Sequence, residues 1–342
     1  MDLTVKYINY INDPASQPTR GLSKPFLITA SDDKEYFLKN EIVYNEKKSV
    51  NDYEDAVFFQ ELLCHQLAIK LNVPVPDAAI IEISQDYLDH SANMVFKHRV
   101  TKPGLYFATA KLPGIDDNLI DVIKVNSNIS KPNIKQSWKA HFSNVENKES
   151  YISIIAFDLL IANFDRFGNL GNLVVSTESN HRNAYAIDFG HSFFGPFYSQ
   201  LDNLTKIQYL THFNKNFEEF INQYLILLKN CNGTGQLSGL GKVFVAMADN
   251  ISFKNEYQNP FIDIIERIES ITAEEIMIAL DNIPEEWITG GTTQKQLYKN
   301  FLMDQKYLVK NIINEMNRYG AFSNSTSEGD LSWPKERTIG IQ

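Results

Sequence analysis

The sequence predicts an α+β fold in two parts, a small α/β unit followed by a larger and mainly helical one. Three observations carry this expectation. Strand-like stretches around one helical pattern fill the first hundred or so positions, and long amphipathic helical patterns fill the second half. The most polar, glycine-broken segments of an otherwise apolar middle fall between them. At 342 residues, 43% hydrophobic and 22% charged, the chain is long enough for two packed parts and too apolar for a disordered one.

Taken in order, "FLITASDDKEYFLKN" (26–40) reads as two strands joined by the polar turn Ser31 to Lys34. "EDAVFFQELLCHQLAIKL" follows, with apolar residues at Val57, Phe58, Leu62, Leu67 and Leu71, the spacing of an amphipathic helix. Asn72 and the prolines of "NVPVPD" stop it, and "AAIIEI" reads as a strand. Between residues 100 and 150 the pattern weakens, with "TKPGLYFATAKLPGIDD" its most loop-like part. "SYISIIAFDLLIANF" predicts an apolar helix, and "NLVVS" and "AYAIDF" a strand pair around "TESNHRN". Four further helices are expected in "NFEEFINQYLILLKN", "PFIDIIERIESI", "TAEEIMIALDNI" and the long stretch beginning "QKQLYKNFL", with Thr272 and Glu275 placed for a capping box. The expected boundaries are 1–105 for the small part, 106–322 for the helical part, and a polar, mobile tail over 323–342.

Composition narrows the function. A net charge of −10 argues against a direct nucleic-acid binder, whose phosphate contacts need clustered Lys and Arg, although a local basic pocket can still take an anion. Two cysteines, Cys64 and Cys231, are too few for a disulfide framework or a zinc site. The start "MDLTVKYINYINDP" lacks a signal-peptide pattern, and no run reaches the ~18 apolar residues of a membrane span. The expectation is a cytoplasmic protein with no membrane partner. "GTGQLSGLG" (233–241) follows a helical stretch rather than a strand and lacks phosphate-loop spacing, so it reads as a flexible loop.

The chemistry lies in "IANFDRFGNLGNLVV" (161–175) and "AYAIDFGHSFFGP" (184–196), which place Asp165 and Asp188 each beside a glycine and a strand. Phosphoryl transfer from a nucleotide needs a cation on the phosphates, metal ions on carboxylate and amide oxygens, and a residue that orients the acceptor hydroxyl. Magnesium takes only one or two carboxylates and completes its shell with phosphates and water. Lys39 ends the strand "EYFLK", where its ammonium can point toward phosphates, and Glu61 on the next helix can hold it extended. Asp165 begins a turn after the apolar helix, Asn172 opens "NLVV", and Asp188 closes "YAID", with Phe189-Gly190 expected to turn the backbone sharply. Singly, each has a plain reading: Asp165 with Arg166 as a surface ion pair, Asp188 as a turn former, and Lys39 and Glu61 as solvated residues. His191 reads as a satisfied structural histidine, and the aromatics of "FFGPF" as core. Their order and combination favour the phosphotransfer site.

"D-R-x-x-N…N-L-V-V" followed by "AIDFGH" resembles the protein-kinase-like superfamily, and "IDFGH" is similar to phosphatidylinositol 3- and 4-kinases. The surrounding chain resembles the bacterial HipA-like serine/threonine kinases. It does so through "GLSKPFLIT" with "YFLK", "ELLCHQLAIKLNVPVP", "NFDR", "IDFGHSF" and "IPEEW" (283–287), over roughly residues 20 to 310. The resemblance implies a two-lobed protein-kinase-like fold with ATP and Mg2+ in the cleft. It makes Asp165 the catalytic aspartate, Asp188 the principal metal ligand, Lys39 the phosphate lysine and Glu61 its partner. It also places Gly21 and Ser23 of "RGLSKP" in a loop over the phosphates, with Ser23 a candidate autophosphorylation site. The implied substrate is an unidentified protein, and a toxin-like role with an antitoxin partner is part of the same resemblance. The chain departs from the pattern in three places. Position 170 is Leu where protein kinases place the metal asparagine, which leaves Asn172 favoured and Asn169 open. "GLSKP" carries one glycine rather than several, and the chain is expected to lack the extra N-terminal subdomain of the longest family members, which puts the antitoxin interface in question. A lipid or small-molecule kinase would use the same residues, and a pseudokinase binding module would keep them without transfer.

Overall fold

Alternation in the first ninety residues builds a sheet around one helix. The computed structural model describes residues 4–12, 25–45, 49–90, 95–96, 99–100, 102–115, 141–169, 171–199, 203–231, 235–237, 240, 244, 247–253, 259–322, 324–325 and 329–334. Strand β1 (Val5–Ile11) pairs antiparallel with β2 (Phe26–Ala30), which pairs with β3 (Glu35–Leu38) across the expected Ser31–Lys34 turn. Asp33 takes φ 61° in that turn, a conformation aspartate tolerates. A side hairpin of β4 (Ile42–Asn45) and β5 (Val50–Tyr53) leads into helix α1 (Val57–Lys70). Asn72, at φ 55°, closes α1 as expected, and β6 (Ala78–Ile83) returns parallel to β1. The short helix α2 (Gln85–His90) and the pair β7 (Val95–Phe96) and β8 (Arg99–Val100) come next.

Strand β9 (Gly104–Ala110) then completes a closed barrel in the order β1-β2-β3-β9-β6. It occupies the stretch expected to be loop and carries the sheet past the boundary expected near 105. Its ladder partners, Ile81 opposite Tyr106 and Leu38 opposite Ala108, come from strands distant in sequence. Inside the barrel Ile8, Ile28, Tyr36, Leu38, Ile81 and Ala108 make a core of their own.

The larger core runs from α1 through α3 (Ser150–Leu160) and the helices that follow the hairpin of β10 (Leu173–Glu178) and β11 (His181–Ala186). Ser179 and Asn180, at φ 51° and 69°, turn that hairpin in two residues, tighter than the seven-residue turn expected. A four-residue helix, α4 (Asp165–Gly168), precedes β10. After β11 come α5 (Asn203–Leu210), α6 (His212–Lys215), α7 (Phe217–Asn230), α8 (Ile262–Ser270), α9 (Ala273–Asp281) and α10 (Gly291–Arg318). Helix α1 is not amphipathic in place, because every residue from Val57 to Ala68 is buried. It lies between barrel and helices, so its polar residues Gln60, Glu61, His65 and Gln66 must find partners inside the protein.

The described part of the expected tail is docked. Asn317 Nδ2 donates to the Gly329 carbonyl, Leu331 is buried, and Trp333 Nε1 donates to Asn314 on α10 at 2.8 Å. At the head of α9 the capping box forms in full, with Glu275 N donating to Thr272 Oγ1 at 3.2 Å and Thr272 N to Glu275 Oε2 at 3.0 Å. Thr272→Ala is expected to lower stability by about 1 kcal/mol, read as a shift of the urea unfolding midpoint at unchanged slope. An unshifted midpoint would mean that packing alone holds the α9 start.

Candidate functional site

Strand β3 ends beside the barrel face that looks onto α1, and Lys39 follows it directly. Its backbone N–H donates to the Phe107 carbonyl, which fixes where the side chain starts. The ammonium reaches Asp188 Oδ1 at 2.9 Å and Glu61 Oε1 at 3.0 Å. Lys39, Glu61 and Asp188, from a strand end, a helix and a loop, therefore meet at one point. Glu61 is 1% exposed, whereas the Asp188 side chain is 45% exposed, so the site opens on the aspartate side. Burial works against the Lys39 charge, but Asp188 and then Glu61 raise its pKa above the ordinary lysine value. Burial likewise opposes the charge on Asp188, yet the Lys39 charge and hydrogen bond hold its carboxyl down at about 2. Glu61 is pushed up by burial, and by the neighbouring Asp188 charge against the pull of Lys39. The ammonium is thus balanced chiefly by Asp188.

The turn after β11 differs from the one expected. Asp188 itself takes φ 65°, a left-handed conformation that strains a non-glycine residue by about 1–3 kcal/mol, though aspartate bears it better than most. Gly190 serves instead for close approach. A Cβ there would lie 2.9 Å from Val57 Cγ1 and 3.4 Å from Glu61 Oε1. Gly190 lets the loop press against α1, so that Asp188 and Glu61 share one lysine.

Asp165 opens α4, and its Oδ2 accepts from Asn172 Nδ2 at 2.6 Å and from Asn169 Nδ2 at 3.4 Å. The structure thus brings Asp165 and Asn172 together. Asn169 Oδ1 is engaged by Gly171 N at 3.0 Å, so that side chain caps its own turn.

Arg166 overturns its reading as the surface partner of Asp165. It is fully buried, and its Nε donates to Asp158 Oδ2 on α3 at 2.7 Å. Its Nη1 donates to the carbonyls of Asn172 and of Ile187, the latter at 2.7 Å, and its guanidinium lies 4.9 Å from the Phe189 ring centroid. One buried cation therefore laces the 165–172 loop to the 187–189 loop. Burial pushes the Asp158 carboxyl up to about 6 against the pull of Arg166, the mark of a charge kept inside only by its partner. Local pattern missed Asp158, yet it left a signal: a lone acid inside the apolar run "SYISIIAFDLLI".

His191 Nε2 lies 3.4 Å from Glu54 Oε2. Burial disfavours its charge, but Glu54, and beyond it Asp188 and Asp165, lift its pKa to about 8. His191 is thus paired, as expected, and it feels both aspartates at once. Gly21 and Ser23 lie outside the described residues.

Asp188 and Asn172 offer oxygen donors, a held-ionised carboxylate and an amide, of the kind a hard divalent ion takes. Among the described residues no three His, Cys, Asp or Glu side chains converge as a metal cage. An ion held here would draw the rest of its shell from phosphates and water, which is the habit of magnesium, and the donor set fits it. The described residues include no helix long and apolar enough to cross a membrane.

No curated protein matches the chain. A solved structure of a proinflammatory kinase from Helicobacter pylori, CtkA, is similar to it over 95% of this chain and 100% of that one, with 14% identity and a TM-score of 0.49. The model of a family described as HipA-like kinase matches residues 11–224, well over half of the chain. By that match the protein belongs to the HipA-like kinase family, and its activity is that of a phosphotransferase.

Proposed function

We propose that the protein transfers the γ-phosphoryl group of ATP to a serine or threonine hydroxyl of another protein. The observation that supports this best is the Lys39 ammonium held between Glu61 and Asp188, on a loop that Arg166 laces to Asp165 and Asn172. In this reading Lys39 contacts the nucleotide phosphates, and Glu61 keeps its side chain extended. Asp188 and Asn172 hold Mg2+; Asn172 is preferred to Asn169 because the latter's oxygen is committed to its own turn. An ion held by these two residues would supply positive charge to offset that of the phosphates.

Asp165 orients the acceptor hydroxyl and takes its proton. The hydroxyl oxygen forms a bond to the γ-phosphorus as the bond to the β,γ-bridging oxygen breaks, which leaves ADP, a phosphorylated side chain and one released proton. Asn172, donating to Asp165 at 2.6 Å, fixes the direction of that carboxylate. The family likeness extends the reading to autophosphorylation, with Ser23 as acceptor, and to a toxin-like role on a cytoplasmic protein with an antitoxin partner.

The test is incubation with γ-labelled ATP and magnesium, alone and with cell lysate, beside Asp165→Ala. Label on a protein band is expected, falling about 10²–10⁴-fold in the variant as for loss of a general base. Label confined to lipid or small molecules would overturn the protein substrate. Nucleotide binding without transfer would overturn the enzyme.

A further inference from the structure

The geometry points to Gln60, Lys206 and Tyr298 as positioning residues for the phosphotransfer, forming a buried latch that fixes the Asp188–Gly190 turn against α1. The inference rests on the function proposed above and adds residues that it does not use.

Gln60 sits next to Glu61 on α1 and is fully buried. Its Nε2 donates to the Gly190 carbonyl at 2.5 Å and to the Gly195 carbonyl at 3.2 Å. Its Oε1 accepts from Lys206 Nζ on α5 and from the Tyr298 hydroxyl on α10, each at 2.8 Å. Lys206 also donates to the Gly195 carbonyl at 2.6 Å, and its Nζ lies 5.7 Å from the Tyr298 ring centroid. One amide thus has its donor and acceptor sides filled, with its donor side on the segment that carries Asp188.

The same segment is pinned further along. Asp55 accepts from the backbone N–H groups of Tyr198 and Ser199 at 2.6 and 2.9 Å, and Ala56 N donates to the Pro196 carbonyl. Gln60 hydrogen-bonds to the carbonyl of Gly190, two residues from the carboxylate and nearer to it than these other contacts. Burial brings the Lys206 ammonium down to about 7 despite the nearby charge of Asp55. An amine in either protonation state has the two N–H groups that the Gln60 and Gly195 oxygens need. Lys206 thereby ties the amide oxygen of Gln60 to the Gly195 carbonyl on the same segment.

Residues that orient a metal ligand alter metal affinity or activity about 10–100-fold when removed. The test measures binding of the non-hydrolysable analogue AMP-PNP with magnesium chloride and with EDTA. It compares the full-length parent, Gln60→Leu and Tyr298→Phe. In Gln60→Leu, binding in EDTA stays within about threefold of the parent while the gain from magnesium shrinks about tenfold or more. Tyr298→Phe keeps its ring contacts with Phe59 and Phe193 and loses one hydrogen bond, so its magnesium gain shrinks in the same direction by about threefold.

A folded Gln60→Leu with the parent's magnesium gain overturns the latch. Equal loss with and without magnesium also overturns it, because that is the signature of a merely structural role. If Gln60→Leu does not fold, Tyr298→Phe decides by the same criterion. A parent that binds no nucleotide at all sinks the proposed function itself, which is a separate outcome from an unchanged variant.

Discussion

Arg166→Met is expected to destabilise the protein by about 3–5 kcal/mol, the cost of leaving a buried charge without its partner. The magnitude follows from burial. Arg166 and Asp158 side chains are both 0% exposed, and their 2.7 Å contact is supported by Asn163 Nδ2 on the other carboxylate oxygen. Asp158 already has its carboxyl raised to about 6 with the arginine in place, so without it the group must take up a proton or open the core. The variant also strips a donor from the carbonyls of Asn172 and Ile187. Asp158→Leu combined with Arg166→Met removes both charges, and it should be less destabilised than Arg166→Met alone. Urea unfolding followed by two spectroscopic probes measures this. A loss below about 1 kcal/mol for Arg166→Met would mean that the pair is not sealed from water.

The sequence carried this pair only in part, and the reason is physical. Local periods reveal elements whose neighbours are close in sequence, such as the β2–β3 hairpin, α3, or α9 with its capping box. They fail where identity depends on distant partners. The run 104–110 is a strand because β6 and β3 flank it, yet its glycine, alanines and threonine hide the alternation. Helix α1 reads as amphipathic from its apolar positions, but a helix wedged between a barrel and a helical body has no solvent face to keep polar. Lys39, Asp165, Asn172 and Asp188 were legible because each lies at or beside the end of an element, where side chains can converge, whereas Glu61, inside α1, was legible only as a lone acid among apolar helix positions. The supports of the candidate site were not legible. Gln60 lies 146 positions from Lys206 and 238 from Tyr298, a separation that no windowed pattern spans.

Asp188→Asn is expected to reduce phosphoryl transfer by at least about 10³-fold while leaving the fold intact. Asparagine matches aspartate in shape and tolerates the φ of 65° found at this position, so the turn and the Gly190 approach to α1 survive. What changes is charge. Lys39 keeps Glu61 as its remaining anionic partner, and the proposed metal site loses its half-exposed, ionised carboxylate. Charge stabilisation by a bound ion amounts to several kcal/mol, and each 1.36 kcal/mol is tenfold in rate. The pH behaviour separates this cause from misfolding. The Asp188 carboxyl is held at about 2, below the ordinary 3.8, so the stability it contributes is present above about pH 4 and fades as pH falls toward 2. Near neutral pH the variant should therefore be folded but less stable than the parent, the two converging as pH falls toward 2, while turnover collapses; its acid unfolding should be less steep. Turnover of γ-labelled ATP, measured beside an acid-unfolding curve for both proteins, checks each half. Transfer above about a tenth of the parent's would remove Asp188 from the reaction, since a charge contribution that small corresponds to one surface ion pair rather than to a metal ligand.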